Sequence, residues 1–515
     1  IGRLMEIPEE SNEIGLQKLT GGGELGLYLH DENIRFESFI MNSFAQDKSC
    51  DLVVKAFDYY NDEIYSKTSK VLLKKLSINK VSSTLPAPKK NGFFSVKFAL
   101  KADSGKTLEY QGSFIVLDQL KKRDPFFGAS NFGYRAEYLG ALSRLGVGTA
   151  GCLLPWGYVE STKGKYDWKK TDAKVNALKE HNFNIIGQLY FDSQKFIQPR
   201  WVRDNAKQRM KDGKHPFPPE YYARKNKFER AMVQRYKDSI HEWSMAAEID
   251  LLILRFKYEE EHYIESVKRA GRLIKDIDKN LIVGGVGVSG VDGQSKPMFP
   301  VAEKLWKELH DYLDMFEFDP YIDPKNFGPF LEPVGPENGG LEKILGKAVE
   351  IVRKYGKNKI SIGEKGYSIV ASLPVDSKYS KDMGNVIARA HAIAKSFPEN
   401  QYWLYFQFVS PYLEGRYNYA LWKENFPRPA AAAYATTARR LAYADNARKI
   451  DLHSKIYCYV FRKQQTSVAV IWALTDDDVS LTCDFNAPFR SVAQQMLKLR
   501  LIGGGGDDPD LADAA

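Results

Sequence analysis

Two glutamates, Glu248 and Glu364, lie in contexts where a carboxyl group could do chemistry. Each follows a short, mostly apolar stretch, at 242–246 and 359–363. They are 364 − 248 = 116 residues apart, close to three repeats of about 40 residues. Two carboxyl groups about 5–5.5 Å apart can cleave a glycosidic bond with retention, because one attacks the anomeric carbon and the other protonates the leaving oxygen. The alternative is that both are ordinary surface glutamates at the starts of loops.

The elements that would position these carboxyl groups lie between residues 126 and 444. Apolar segments alternate there with helical segments of 3.6-residue periodicity. The predicted strands cover 126–130, 148–153, 184–190, 242–246, 281–286, 315–318, 359–363 and 402–406. The clearest predicted helices cover 172–181, 261–277, 341–355 and 384–396. Eight strand–helix units predict an α/β fold, a (β/α)8 TIM barrel with its active site at the carboxyl ends of the strands.

A doubly wound open sheet is the main alternative architecture. No glycine-rich phosphate loop follows the first predicted strand, which weakens that alternative. In the barrel, strands four and seven would bring Glu248 and Glu364 to face one another across the mouth.

Antiparallel strands are predicted on both sides of the barrel, because short alternating runs are separated by Gly, Asn, Asp and Pro. The predicted domains are an N-terminal β-sandwich at 1–122, the barrel at 123–444, a small C-terminal β-domain at 445–502 and a flexible Gly/Asp-rich tail at 503–515.

The charge balance argues against a nucleic-acid partner. The chain carries 74 basic and 65 acidic side chains, a net charge of +9, but its lysines are scattered. A basic balance suits an anionic polysaccharide, although an ordinary solvated surface explains it better. The sequence contains no apolar run of about 18 residues, the length that would predict a membrane span. The chain begins at Ile1, so we expect a fragment or processed form that lacks any signal peptide.

The four cysteines are widely spaced and form no CxxC or Cys/His cluster. We therefore expect no structural zinc site, and neither a metal nor an organic cofactor is expected. Cys458 and Cys483 could pair across a C-terminal sheet, although two buried thiols are the favoured interpretation.

Several segments of 124–444 resemble clan A glycoside hydrolases, the 4/7 superfamily, and most nearly family 39 xylosidases and their relatives. The most specific are residues 155–160 (PWGYVE) with 163–168 (KGKYDW), after the second strand. The segment 364–367 (EKGY) resembles the seventh strand of that clan, and 428–430 (RPA) the start of the eighth helix. The resemblance implies a retaining mechanism with Glu248 as acid/base and Glu364 as nucleophile.

The sequence departs from the clan pattern at three places. Ala247 precedes the implied acid/base, where the clan usually has an asparagine that binds the sugar 2-hydroxyl. Asp319, in the segment FDPY at 318–321, stands where the clan usually has histidine, and the second strand lacks the arginine that often supports the nucleophile. Asp250 is a second candidate for the acid, ranked lower because its alternate position on an extended chain would point it away.

Aromatic side chains near the strand ends could form platforms for sugar rings, although packing is the commoner role of any one aromatic residue. The candidates are Trp156, Tyr190, Trp201, Tyr321, Tyr367 and Trp422. We expect Asp319 and three of these, Trp156, Tyr321 and Tyr367, to contact the substrate.

Two functions are compatible with these residues. The first is a retaining glycoside hydrolase acting on a polysaccharide or glycan. The second is a catalytically impaired, carbohydrate-binding or structural protein on the same scaffold, which the departures at Ala247 and Asp319 motivate. Secretion or cell-surface display is expected from the substrate class. The sugar, the linkage and the oligomeric state do not follow from the sequence.

Overall fold

Eight parallel strands form a closed barrel in the computed structural model of the chain. The structure describes residues 14–102, 107–130, 132–189, 197–246, 248–253, 258–289, 298–321, 335–338, 340–409, 418–452 and 454–474. The barrel strands, in order around the barrel, are β9 (Phe127–Ala129), β10 (Thr149–Leu153), β11 (Asn184–Gln188), β12 (Glu242–Ser244), β13 (Ile282–Val286), β14 (Met315–Phe318), β15 (Ile360–Lys365) and β16 (Asn400–Tyr405). Every strand prediction overlaps one of these eight strands, so the predicted (β/α)8 barrel is confirmed.

Helices connect these strands and cover the outside of the barrel. Their bounds are α1 (Ala136–Leu145), α2 (Trp156–Val159), α3 (Lys169–Glu180), α4 (Arg200–Lys211), α5 (Pro219–Tyr236), α6 (Ile249–Ile253), α7 (Glu259–Ile277), α8 (Met298–Leu309), α9 (Leu341–Lys354), α10 (Lys378–Lys395) and α11 (Pro429–Arg440). In α9 the buried residues recur at the three- and four-residue spacing of one helix face, which packs on the strands. Helix α11 begins at Pro429, where the missing N–H of proline costs nothing, as the resemblance implied for the eighth helix. None of the helices in the described part of the chain combines the length and apolar character needed to cross a bilayer.

Two β-sheets form a sandwich on the N-terminal side. One sheet contains β1 (Ile14–Gly21), β3 (Ile34–Asn42) and β6 (Ser77–Leu85). The other contains β2 (Leu27–Leu29), β8 (Thr107–Leu117), β7 (Gly92–Ala102), β4 (Lys48–Phe57) and β5 (Glu63–Leu73), in that order. Alternate residues of β3 are buried, so one face of its sheet packs on the other sheet, with Phe36 against Phe98 and Phe114.

Smaller sheets follow the barrel. The hairpin of β17 (Trp422–Lys423) and β18 (Phe426–Pro427) precedes α11. An antiparallel sheet of β19 (Asp445–Lys449), β20 (Ile456–Lys463) and β21 (Thr466–Ala473) comes after it. Antiparallel strands were predicted on this side of the barrel, and this sheet confirms them. The remainder of the predicted C-terminal domain, the predicted tail and Cys483 lie outside the described residues, so the domain boundaries and the Cys458–Cys483 pairing stay predictions.

Candidate active site

Glu248 and Glu364 both lie at the carboxyl end of the barrel. Glu248 follows β12 and directly precedes α6, and Glu364 is the fifth residue of the six in β15. Because the strands are parallel, their carboxyl ends meet at one face, where (β/α)8 barrels place their chemistry. The structure therefore positions the two carboxyl groups at the same mouth.

The backbone of Glu248 is in the left-handed region, with φ of 42°. A non-glycine residue in this region is strained by about 1–3 kcal/mol and stays there only when its neighbours hold it. Met245 N–H donates to the carbonyl of Gly284 at 2.9 Å, and Ile249 N–H donates to the carbonyl of Gly287 at 2.9 Å. These bonds fix the chain on both sides of Glu248. Ala247 lies outside the described residues.

The two glutamates interact electrostatically. Burial raises the pKa of Glu364 above its ordinary value, and the nearby carboxyl of Glu248 raises it further. The hydroxyl of Tyr321 donates to Oε1 of Glu364 at 3.4 Å and lowers the same pKa. A negative charge on Glu248 therefore opposes ionisation of Glu364.

Asp319 is a third carboxyl group at this mouth, directly after β14. Its side chain is buried, and burial followed by the charges of Glu364 and Glu248 raises its pKa well above the ordinary value. Among the described residues, Oδ1 of Asp319 has no hydrogen-bond partner. The sequence placed Asp319 in the site, and the structure brings it to the two glutamates.

Asp250 is a fourth carboxyl group, and our reason for ranking it low was wrong. Residues two apart on a strand point to the same side, so alternation would not have separated Asp250 from Glu248, and residues 249–253 form a short helix to which strand alternation does not apply. Its carboxylate is fully buried and accepts a hydrogen bond from the backbone N–H of Ser289 at 2.9 Å. Asp250 also contributes to the raised pKa of Asp319, so it borders the same group of carboxyls.

Sequence reasoning missed two carboxyl groups inside the barrel, Glu317 of β14 and Glu242 of β12. Burial raises the pKa of Glu317 to about 7 and that of Glu242 to about 8, while the Tyr402 hydroxyl lowers both. A Cβ added at Gly284 would lie 2.9 Å from Oε2 of Glu317, so a glycine makes room for this carboxyl. Barrel interiors usually hold branched apolar side chains, and this one is partly acidic.

Tyr321 and Tyr367 lie on either side of the Lys365 side chain. The ammonium of Lys365 is 4.9 Å from the ring centre of Tyr321 and 4.6 Å from that of Tyr367. All three side chains are buried. Tyr321 therefore belongs to the group around Glu364, and Tyr367 contacts the same lysine as Tyr321.

Trp156 lies in a different packed cluster. Its ring stacks on Phe228 of α5 with centres 5.6 Å apart and is only 2% exposed. Its indole N–H donates to Oε2 of Glu160 at 2.7 Å, and Oε1 of Glu160 accepts from the N–H of Gly164, also at 2.7 Å. The motif at 155–160 and 163–168, the most specific of the sequence, therefore stabilises its own loop through these two hydrogen bonds. The proposed sugar contact of Trp156 stays a prediction, and its burial favours packing.

Trp201 and Trp422, two of the other aromatic candidates, lie in different parts of the structure. The indole of Trp201 donates to the carbonyl of Glu160 at 3.2 Å, close to Trp156. Trp422 is buried and donates to the carbonyl of Leu25 at 2.8 Å, which connects the barrel to the N-terminal segment. Tyr190 lies outside the described residues. Within the described ranges, no group of three or more His, Cys, Asp and Glu side chains is arranged to hold a metal ion.

The fold has relatives among solved structures. No protein-family model and no curated protein matches this chain. A family 39 glycoside hydrolase from the gut symbiont Bacteroides cellulosilyticus WH2 has a TM-score of 0.62 and 15% identity, covering 89% of this chain and 90% of that chain. A glucosidase from Croceicoccus marinus has a TM-score of 0.46 and 14% identity, covering 67% of this chain and 76% of that one. An exo-β-1,4-mannosidase from Opitutaceae bacterium strain TAV5 has a TM-score of 0.45 and 14% identity, covering 66% and 60% respectively.

The first of these similarities confirms the architecture that the motifs predicted, a glycosidase-like (β/α)8 barrel with flanking β-sheets. At 15% identity it establishes the shared fold alone. The similarity thus defines the scaffold, whereas the reaction depends on the carboxyl groups at the mouth of the barrel.

Proposed function

We propose that this chain is a retaining glycoside hydrolase in which Glu364 is the nucleophile and Glu248 the acid/base. The observation that supports it most is the electrostatic interaction between the two glutamates, which come from strands on opposite sides of one barrel mouth. A retaining mechanism needs two neighbouring carboxyl groups, of which one is ionised and the other is protonated.

In the first step, a carboxylate oxygen of Glu364 bonds to the anomeric carbon while the bond from that carbon to the leaving oxygen breaks. Glu248 gives its proton to the leaving oxygen and becomes a carboxylate. In the second step, Glu248 takes a proton from water, the water oxygen bonds to the anomeric carbon, and the bond to Glu364 breaks. The hydrogen bond from the Tyr321 hydroxyl favours the charged form of Glu364, against burial and the charge of Glu248, which raise its pKa.

The substrate we propose is a neutral polysaccharide or glycan. Asp319 and Asp250 add two carboxyl groups beside the catalytic pair, and a carboxylate on the reacting sugar would find no complementary positive charge among these four groups. This weakens the option of an anionic substrate that the net charge had suggested. A protein of this activity would meet its substrate outside the cell, and secretion or cell-surface display is part of the proposal.

The test is a screen of reducing-sugar release from a broad glycan panel by the wild-type protein and by Glu364→Gln. We expect at least one substrate to be cleaved, with a loss of roughly 10⁴-fold or more in the variant because no nucleophile remains. Glu350→Gln, the same change on the exposed face of α9, is the matched control and should leave the rate unchanged.

The stereochemistry of the first product, followed by NMR, distinguishes retention from inversion. Turnover that survives Glu364→Gln would reject the nucleophile assignment. Glycan binding without turnover would favour the alternative, a carbohydrate-binding protein on the same barrel.

A further inference from the structure

The side chain of Asp319 is more deeply buried than those of Glu248 and Glu364. Its exposed fraction is 6%, and its Oδ1 would lie 3.0 Å from a Cβ added at Gly363, the residue directly before Glu364. The carboxyl group therefore lies against the backbone of β15, in space that a glycine leaves open. The proposed mechanism gives Asp319 no part in bond making or breaking.

The groups that face Asp319 are almost all acidic. Its pKa is raised by carboxyl groups from the neighbouring strands and helix, in the order Glu364 of β15, Glu248 after β12, Glu317 of β14 and Asp250 of α6. The phenols of Tyr321 and of Tyr263 in α7 also interact with it. The Nζ of Lys365 in β15 lies over the rings of Tyr321 and Tyr367.

A carboxylate at this position would be a buried anion among other carboxyl groups, with one oxygen that makes no hydrogen bond to a described residue. Burying such a charge is far more costly than protonating it. The neutral acid avoids that cost, and its O–H can donate a hydrogen bond to a neighbouring oxygen.

We propose that Asp319 is a positioning residue that stays protonated at neutral pH, so that the negative charge of the site is carried by the catalytic pair. The part that a protonated Asp319 plays in catalysis rests on the proposed function. Were Asp319 ionised, its charge would oppose ionisation of Glu364 and leave the nucleophile uncharged. As a neutral acid it removes that repulsion.

The decisive experiment compares the thermal unfolding of wild type and Asp319→Asn between about pH 4 and pH 8. A carboxyl group whose folded-state pKa is raised binds more protons when folded, so the stability it contributes is full below its unfolded pKa of about 3.9 and is lost as the pH rises. Asparagine has nearly the same shape and cannot titrate. We expect the Tm of the variant minus that of the wild type to increase with pH, reaching several degrees at the upper end.

Asp250→Asn is the matched control, because it removes a carboxyl from the same site where the carboxylate accepts hydrogen bonds from Ser289. An amide has one acceptor oxygen instead of two, so this variant should be less stable than wild type at neutral pH. A Tm difference for Asp319→Asn that is flat or falls as the pH rises would overturn the proposal, since Asp319 would then be ionised in the folded protein.

This measurement needs no substrate, so it can fail or succeed independently of the glycosidase assignment. Where turnover is found, the pH profiles of Asp319→Asn and Asp319→Ala add a second readout. Asp319→Asn should keep activity within roughly tenfold of wild type and hold it to higher pH, because the site can no longer gain a charge there. Loss of activity in Asp319→Asn equal to that of Asp319→Ala would contradict the neutral role.

Discussion

The contact between Tyr321 and Glu364 opposes the two effects that raise the pKa of Glu364. Burial and the charge of Glu248 favour the neutral form of Glu364, and the phenol hydroxyl at 3.4 Å favours the charged form. A hydrogen bond of this length is weak in water, but it gains strength where the surroundings are dry. In the proposed mechanism, the Tyr321 hydroxyl therefore helps to prepare Glu364 for attack.

Tyr321→Phe should reduce kcat/KM by roughly tenfold, because it removes one hydrogen bond to a charged group. Without that bond the pKa of Glu364 increases, and since the nucleophile must be ionised, the acidic limb of the pH profile should move to higher pH. Tyr355→Phe, at the end of α9, is the control for loss of a hydroxyl elsewhere. An unchanged acidic limb in Tyr321→Phe would show that the hydroxyl does not tune Glu364.

The sequence was sufficient to locate Glu248, Glu364, Asp319 and Tyr321, because each follows or ends an apolar strand that could be recognised. It was insufficient for Glu317. In the strand Met315–Phe318, a single glutamate among apolar residues suggests a side chain on the solvent-exposed face of a sheet. In a closed barrel the second face of the sheet is the barrel interior, which is also buried. Only the neighbouring glycines explain how that carboxyl fits.

At the scale of elements, β15 makes room for two carboxyl groups, those of Glu317 in β14 and of Asp319 directly after it. The side chains of Glu317 and Asp319 both approach Gly363, and a Cβ there would lie within contact distance of each. Residues two apart on a strand point to the same side, so β14 directs both toward the barrel interior. The absence of a side chain at position 363 is thus a requirement of this part of the site.

Gly363→Ala should destabilise the fold by roughly 1–3 kcal/mol, because the new methyl group overlaps with Oε1 of Glu317 and lies 3.0 Å from Oδ1 of Asp319. Gly346→Ala is the contrasting control. Gly346 is inside α9 with nothing within 4 Å of an added Cβ, so alanine should stabilise that helix by up to about 1 kcal/mol. Chemical denaturation of both variants measures the two effects, and equal stabilities would refute the crowding argument.

Helices α4 and α5 are not among the helices that the sequence pattern predicted most clearly. The eight barrel strands were predicted because their apolar runs are short and bounded by turns. Helix α4 is rich in charged residues and has Val202 as its buried residue, so it carries too weak an apolar period to be recognised. Its position depends on contacts from other parts of the chain, among them Trp201 against Trp156.

At the scale of the whole molecule, Arg144 of α1 connects the barrel to the N-terminal segment. Its Nε donates to Oε2 of Glu24 at 2.8 Å, and its two terminal nitrogens donate to the two carboxylate oxygens of Glu32 at 2.6 and 2.8 Å. A bidentate pair of this kind holds its geometry better than a single contact. Trp422 and Ser113 add hydrogen bonds between the same two parts, to Leu25 and Pro427 respectively.

Arg144→Met should lower the free energy of unfolding by about 1–2 kcal/mol, since it keeps the aliphatic stem and removes the paired charge. We also expect faster proteolysis between the sandwich and the barrel. Arg135→Met is the control, because Arg135 is 73% exposed and its contact with Glu137 of the same helix is 3.5 Å long. If the two variants unfold alike, Arg144 does not hold the sandwich in place.

The glycines beside Glu317 also couple several positions of the barrel interior to one another. A Cβ at position 284 or 363 would approach the carboxyl oxygens of Glu317, and a Cβ at 363 would approach Oδ1 of Asp319 as well. Substitutions at 284, 317, 319 and 363 should therefore be non-additive in their effects on stability, because each changes the space that the others need.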